Sequence, residues 1–262
     1  FKNEQWFNAH YYAELGIGLA TPKDPNLANL KDISNSSWKN LTDYVKLNKD
    51  ENQLFFEKKY EGYLALHQKD DLKAYYIFKE LSDTSRELSI DPDVIFYLTI
   101  AENRIREKYF FIDETFEQKS FENANNVYYS YDYKDGSKDI VYFKGVTTVE
   151  ETGNSIQYLR DLSIVTISPS GEIYKTMNVP YAKVLPVSTD VLNETTKQLF
   201  EIDENTKSIP YIMLCSIGRT DPNTKIKPTY TYSKDAPATY SDYIILPISF
   251  DDFEMLENNT MN

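Results

Sequence analysis

The chain has one cysteine and two histidines among 262 residues. With Cys215 alone, no disulfide can form within the chain. It ends the apolar run Ile212-Met213-Leu214-Cys215, which reads as a buried structural thiol. His10 and His67 both fall in the first half, distant from each other and from the cysteine. No Ser/His/Asp or Cys/His arrangement can therefore be assembled in the second half. Zinc needs about four nitrogen, sulfur or carboxylate ligands, and these three residues supply no such set. No apolar run approaches the roughly 18 residues of a membrane span, and no signal peptide is visible. There is no Walker motif and no G-x-G-x-x-G; Gly16 and Gly18 make only a G-x-G at a helix end. Basic residues are outnumbered, 28 against 41 acidic, for a formal charge of −13. That excludes sequence-blind binding to nucleic acid phosphates, which needs a basic footprint. It also argues against docking on anionic lipid by charge alone.

Aromatic residues are plentiful: 22 Tyr and 14 Phe. Tyrosine suits pleated, half-buried surfaces, and also interfaces where one end of the ring is dry. A Tyr-rich β core is preferred here to a Tyr-lined binding face. The chain begins at Phe1 rather than Met, and reads as an excised soluble piece of something longer.

Two periodicities divide the chain, giving an expected helical domain over 1–120 and an antiparallel β domain over 121–262. In Asn3 to Ala20, Phe7, Tyr11 and Leu15 recur four apart. Thr21-Pro22-Lys23-Asp24-Pro25 stops that helix. Asp32 to Leu47 reads as a second helix or a helix pair, with Ser36 or Ser37 as its cap. Leu54 to Ala65 and Leu72 to Leu81 flank the polar turn Gln68 to Asp71. Gly62, Ala65 and Ala74 stand where two packed helices need small residues, and Phe78 lies four on from Ala74. This spacing resembles a tetratricopeptide repeat, so the first half is expected to be a short stack of helix pairs or a generic bundle. Asp91-Pro92 opens a further helix, with proline in the first turn where its missing N–H is harmless.

After Asn126 the period becomes two. Val127 to Tyr133 and Ile140 to Val146 flank Asp135-Gly136, a hairpin signal. Leu162 to Ile167 and Glu172 to Val179 flank Ser168-Pro169-Ser170-Gly171. Further runs are Ile209 to Ile217, Thr229 to Tyr232 and Tyr243 to Phe250, with a short helix over Val191 to Glu201. The fold class is thus α+β, a helical-repeat-like bundle followed by a β-jellyroll or sandwich.

Candidate chemistry is thin. His67 with Asp70 and Asp71 reads as a solvated turn rather than a metal corner. Asp132, Asp135, Gly136 and Asp139 have the wrong spacing for an EF-hand and lack its closing glutamate. Neighbouring carboxylates such as Asp251-Asp252 are common in so acidic a chain. A non-enzymatic protein without metal or cofactor is expected.

The second half carries a resemblance. Val141-Tyr-Phe-Lys-Gly145 precedes Tyr158-Leu-Arg-Asp-Leu-Ser-Ile164, Ser168-Pro-Ser-Gly-Glu-Ile173, Tyr181-Ala-Lys183 and, near the end, Tyr243 to Phe253. This order resembles the periplasmic β-jellyroll of LptF/LptG-type lipopolysaccharide-export permeases. The helical first half and the long insert from Val191 to Tyr240 depart from that pattern. The resemblance implies an extracytoplasmic, periplasmic domain, tethered to a membrane through segments outside this chain. It further implies binding of lipid, lipopolysaccharide acyl chains or a neighbouring β-domain along an apolar groove. Strand alternation nominates the inward residues: Val127, Tyr129 and Tyr131; Val141 and Phe143; Leu162 and Ile164; Ile173, Met177 and Val179. The other outcome for such residues is a closed core, which is the commoner one. A second reading makes the chain a helical-repeat adaptor that binds other proteins, with the β half as scaffold.

Overall fold

The computed structural model describes residues 4–47, 51–84, 91–116, 126–151, 154–199, 202–203, 205–234, 236 and 238–258. The chain forms two compact units, Phe1–Ile105 and Arg106–Asn262. The first is helical and the second carries a large antiparallel sheet.

The helical unit contains α1 (Glu4–Leu19), α2 (Leu27–Leu47), α3 (Glu51–His67), α4 (Asp71–Thr84) and α5 (Pro92–Arg106). Its core is aromatic: Phe7, Tyr63, Tyr75, Phe78 and Tyr97 are all buried. Phe7 meets Tyr63 edge-on at 5.3 Å, and Tyr97 stacks on Phe78 at 5.7 Å. The small residues do what their spacing predicts. A methyl group on Gly62 would stand 3.0 Å from the side chains of Ile77 and Phe78, so a larger residue there requires those side chains on α4 to give way. Ala65 and Ala74 are buried. Ser36 and Ser37 do not cap a helix. The second helix starts earlier, at Leu27, and the Ser36 hydroxyl donates back to the Asp32 carbonyl at 2.7 Å within it. Pro92 opens α5 as expected, with Asp91 accepting from the Asp93 N–H at 2.9 Å.

Lys59 is the buried charge of this unit. Its ammonium donates to Asp91 at 2.9 Å and Asp93 at 2.8 Å, and lies 4.8 Å from the Phe7 ring. Asn8 extends the network, donating to Asp93 and accepting from Tyr97. Burying a lysine is tolerable only when its charge is met by partners of this kind.

The second unit begins with β1 (Phe110–Phe111) and α6 (Asp113–Phe116). The dividing point at Ile105/Arg106 puts residues 106–116 with the sheet rather than with the helices. The reason is non-local: β1 pairs in parallel with β8 (Ser216–Ile217), which in turn pairs with β9 (Lys225–Ile226).

The main sheet has β2 (Val127–Asp132), β3 (Lys138–Phe143), β4 (Gly145–Glu151), β5 (Asn154–Ile167), β6 (Ile173–Ser188), β7 (Ser208–Met213), β10 (Thr229–Tyr232) and β11 (Tyr243–Ile245). The long β5–β6 hairpin is its spine. On one side, β3 pairs with the C-terminal part of β5 and β4 with the N-terminal part. On the other, β10 pairs with the start of β6 and β7 with its end. Gly136 and Gly171 turn the two expected hairpins at φ of 83° and 87°, angles that a side chain would make costly.

One core covers one face of this sheet, and a smaller cluster lies on the other. The main core unites Val141, Phe143, Leu162, Ile164, Met177 and Val179 with Val146, Leu159, Ala182 and Val184. Within strict alternation, Leu159 and Leu162 could not share a face, nor could Val179 and Ala182. The strands slip together instead. Lys144, Asp161 and Pro180, all exposed, mark the level where the alternation shifts by one residue. Leu159 still opposes Ala182, and Leu162 still opposes Val179, so register is the same on both sides. Asp161 absorbs the slip in a left-handed conformation, φ 52°. The opposite face of the N-terminal part of β5 buries Ile156 and Tyr158 with Phe110 and Met213.

The end of the chain corrects the sequence reading. The strand expected from Tyr243 to Phe250 stops at Ile245, and α8 (Phe250–Asn258) follows. Ser249 caps it, accepting from the Asp252 N–H at 3.1 Å. Phe250 and Phe253 then close over the main core, with Phe253 5.9 Å from Phe143. The short helix of the long insert is α7 (Glu194–Leu199).

The slip gives a test. Asp161 is exposed, so a substitution there reports backbone conformation rather than packing. Asp161→Gly should change stability by no more than about 0.5 kcal/mol, whereas Asp161→Val should cost about 1–2 kcal/mol. Urea unfolding of the two variants checks this; equal stabilities would show that the left-handed residue is not where the slip is absorbed.

Candidate functional site

The nominated residues divide among three environments. Val127, Val141, Phe143, Leu162 and Val179 are buried in the main core, with Tyr129 packed against it. Ile164 and Met177 belong to the same core but also line a cavity of about 420 Å³. Leu162 and Val179 border a shallower groove of about 730 Å³ that runs past Asp161 and Pro180. Tyr131 is half-buried, its ring 4.9 Å from Tyr133. Ile173 is not inward-facing: it is 61% exposed. The register shifts between Thr166 and Ile167, so the alternation that holds for Met177 and Val179 does not reach the hairpin end where Ile173 sits.

The 420 Å³ cavity is of ordinary size for a small-molecule site. Two cross-strand rows of the sheet contribute to it. The first runs Tyr129, Val141, Ile164, Met177 and Tyr230 through five strands, and the second Tyr131, Asp139, Thr166, Lys175 and Tyr232. The cavity wall takes Ile164, Met177 and Tyr230 from the first row and Asp139, Thr166 and Lys175 from the second. Tyr133, Tyr240, Tyr243 and the run Ile244 to Leu246 line it too. It is thus apolar along one level of the sheet and polar along the next.

The polar groups have unequal partners. Asp139 accepts from the Tyr133 hydroxyl at 2.8 Å and from the Thr166 hydroxyl at 2.6 Å. Burial, and then the Asp139 charge, push the Tyr133 phenol above its ordinary value. Lys175 lies 5.9 Å from the centre of the Tyr230 ring, and no carboxylate pairs with it among the described residues. The Tyr129 hydroxyl is buried and has no hydrogen-bond partner among them. Burial, with Tyr133 and Asp139 nearby, drives its phenol well up, so it stays protonated. The Asp residues of the Asp135-Gly136 hairpin serve the turn: Asp135 accepts from the Ser137 N–H at 2.9 Å, and Asp132 pairs with Lys138.

A second polar cluster went unnoticed in the sequence. On the far face of the sheet, the Glu114 carboxylate accepts from Lys183 at 2.7 Å, Tyr158 at 2.8 Å and Arg106 at 3.1 Å. Burial alone would push this carboxyl up; the three donors outweigh it and hold it below the ordinary glutamate value. Arg106 and Arg219 both lie over the Phe111 ring, at 4.9 and 4.1 Å. The donors saturate Glu114, which suits a structural clasp rather than a site. No sequence period pointed to it, because its members come from the end of α5, from α6, β5 and β6.

The two histidines, read as distant, meet. Their rings are 5.2 Å apart, with the Trp38 ring 4.8 Å from His10. The Nδ1 of buried His10 is hydrogen-bonded to the Tyr63 hydroxyl at 2.8 Å. Burial and then His67 push His10 below its ordinary value, against Glu14. No group of three or more His, Cys, Asp or Glu placed to hold a metal ion occurs among the described residues. Cys215 is buried, its S–H directed at Asp242 at 3.3 Å; burial and that carboxylate push the thiol up to about 12. Comparison with known protein families, curated proteins and solved structures finds no match to this chain.

Two tests follow from these environments. The lowered Glu114 value means its contribution is complete above about pH 4.3, the unfolded value, and is lost as pH falls through the folded value. Glu114→Gln, which leaves Lys183 buried without its counter-charge, should cost about 3 kcal/mol at pH 7. The difference should shrink steadily below pH 4 in urea titrations; a pH-independent difference would mean packing, not charge, is lost. Native Cys215 should react with a thiol reagent far more slowly at pH 8 than in denaturant, because the thiolate is scarce and shielded. Equal rates would contradict its burial.

Proposed function

We propose that the sheet-bearing unit is a non-enzymatic, extracytoplasmic module that accepts an apolar chain, in the manner of the periplasmic β-jellyroll of LptF/LptG-type permeases. The observation that carries the reading is the cavity of about 420 Å³ to whose wall Ile164 and Met177, otherwise buried in the main core, contribute. Elsewhere the apolar sheet face is filled by its own side chains and by α8. A ligand path would therefore be local, at the level of Ile164, Met177 and Leu246, rather than a groove along all the nominated residues. A lipid or a lipopolysaccharide acyl chain is the proposed occupant, with a membrane tether supplied from outside this sequence.

A neighbouring β-domain is the other partner in this reading. In the sheet order, β2 lies at one end among the described residues. Its Tyr128 is exposed and 4.6 Å from Tyr142, on a strand free of proline. Such an edge can take a further strand through main-chain hydrogen bonds.

A second reading gives the binding role to the helical unit, as a tetratricopeptide-like adaptor. What favours it is a stripe on α1: Tyr12, Leu15 and Leu19, spaced three and four apart, are all exposed. An apolar stripe left in water on a short helical unit suits a protein partner.

Photo-crosslinking distinguishes the two. A crosslinker at position 164 should give lipid adducts in native membranes, while one at position 143, sealed behind Phe253, should stay silent. Adducts to protein alone, from position 15 and not from 164, would shift the assignment to the helical unit. Silence at 164 towards lipid and protein alike would reduce the sheet unit to scaffold.

A further inference from the structure

The cavity carries more than an apolar lining. We propose that it takes an amphiphile with one anionic head, its chain along Ile164, Met177 and Leu246 and its head against Lys175. This rests on the chain-binding reading above and adds the sign and number of the head's charges.

Three observations lead there. Lys175 is the one cation among the described residues that line the cavity. Some cations of the chain are met by carboxylates, among them Lys59 by Asp91 and Asp93, Lys183 by Glu114 and Arg219 by Asp113. Lys175 has no such partner, only the face of the Tyr230 ring. A half-buried ammonium beside an aromatic wall is partly stripped of water and gains more from an anion than an exposed lysine does.

The second observation concerns Asp139, the carboxylate of the same wall. It is two strands away from Lys175 in the row Asp139, Thr166, Lys175. The backbones there are roughly 10 Å apart, and no salt bridge joins the two side chains among the described residues. Its oxygens are also held by Tyr133 and Thr166. The wall therefore presents a free positive charge and a tied negative one.

The third is the charge of the chain, −13. A head with two or more negative charges would have one neutralised by Lys175 and the rest set against Asp139 and the acidic whole. A monoanion meets the Lys175 charge and brings no further negative charge to set against Asp139. The neighbouring Thr239 on the wall carries a hydroxyl that can donate to a carboxylate head, whereas the Ser241 hydroxyl donates to the Tyr243 carbonyl.

The test is calorimetric titration of the intact chain with three twelve-carbon probes below their micellar range: dodecanoate, dodecanol and dodecyltrimethylammonium. Dodecanoate should bind about tenfold more tightly than dodecanol, the worth of one charge-assisted hydrogen bond. Dodecyltrimethylammonium should bind more weakly than either. Lys175→Met should abolish the preference for dodecanoate and leave dodecanol binding unchanged, while Lys175→Arg should retain the preference. Circular dichroism of both variants confirms that the sheet is intact. Equal binding of dodecanoate and dodecanol would overturn the anionic head and leave the chain-binding reading standing. A preference that survives in Lys175→Met would overturn it too, by moving the head elsewhere. Failure of all three probes to bind would overturn both readings together.

Discussion

The sheet unit depends on a slip shared by adjacent strands. β5 and β6 run for 14 and 16 residues, long enough that strict alternation would send half of their apolar side chains to the wrong face. Asp161 and Pro180, with Lys144 at the bend between β3 and β4, shift the alternation at one level. Pairing register survives because all the strands shift together. Proline is tolerated there because β6 has no outer partner between Asn178, where β10 pairs, and Lys183, where β7 begins. Without the slip, Leu159 and Leu162 could not enter one core.

What the slip creates is two unlike halves of one spine. The N-terminal half of β5 is buried on both faces, with Leu159 in the main core and Tyr158 in the smaller cluster. There the Glu114 clasp forms, since a buried Lys183 needs a counter-charge. The other half of β5 meets the cavity through Ile164 and Thr166. The same hairpin thus supplies a neutralised lysine at position 183 and an unneutralised one at 175. Stability explains the first; the second has the Tyr230 ring beside it and no carboxylate partner among the described residues.

Both units lean on tyrosine for the same physical reason. Its ring fills a core while its hydroxyl finds a polar partner, as Tyr63 does with His10 and Tyr97 with Asn8. Around the cavity the hydroxyls are engaged differently: Tyr230 donates to the Ser241 carbonyl at 2.8 Å, fixing its ring beside Lys175. The expected Tyr-rich β core holds only in part: among the described residues of the sheet unit Tyr158 is buried and Tyr129 and Tyr230 pack against the main core, whereas the tyrosine-rich core is that of the helical unit.

The sequence alone determined the division into helices and strands, both hairpins and the close helix pair. Each of these follows from signals within a few residues: the helical period around Phe7 and Tyr11, glycine at 136 and 171, small side chains at 62 and 74. It also marked most of the inward residues, because alternation is local wherever strands run straight. Tertiary structure decided the rest. Whether Ile173 faces in or out hinges on a register shift near its partner, Ile167. Whether the chain after Ile245 continues as strand depends on an apolar surface that Phe250 and Phe253 can cover, and that surface exists only once β3, β5 and β6 are paired. The meeting of His10 with His67, the saturation of Glu114 and the isolation of Lys175 depend on which side chains arrive from distant strands and helices. No local pattern encodes such meetings, because burial and charge pairing belong to the assembled fold rather than to any one segment.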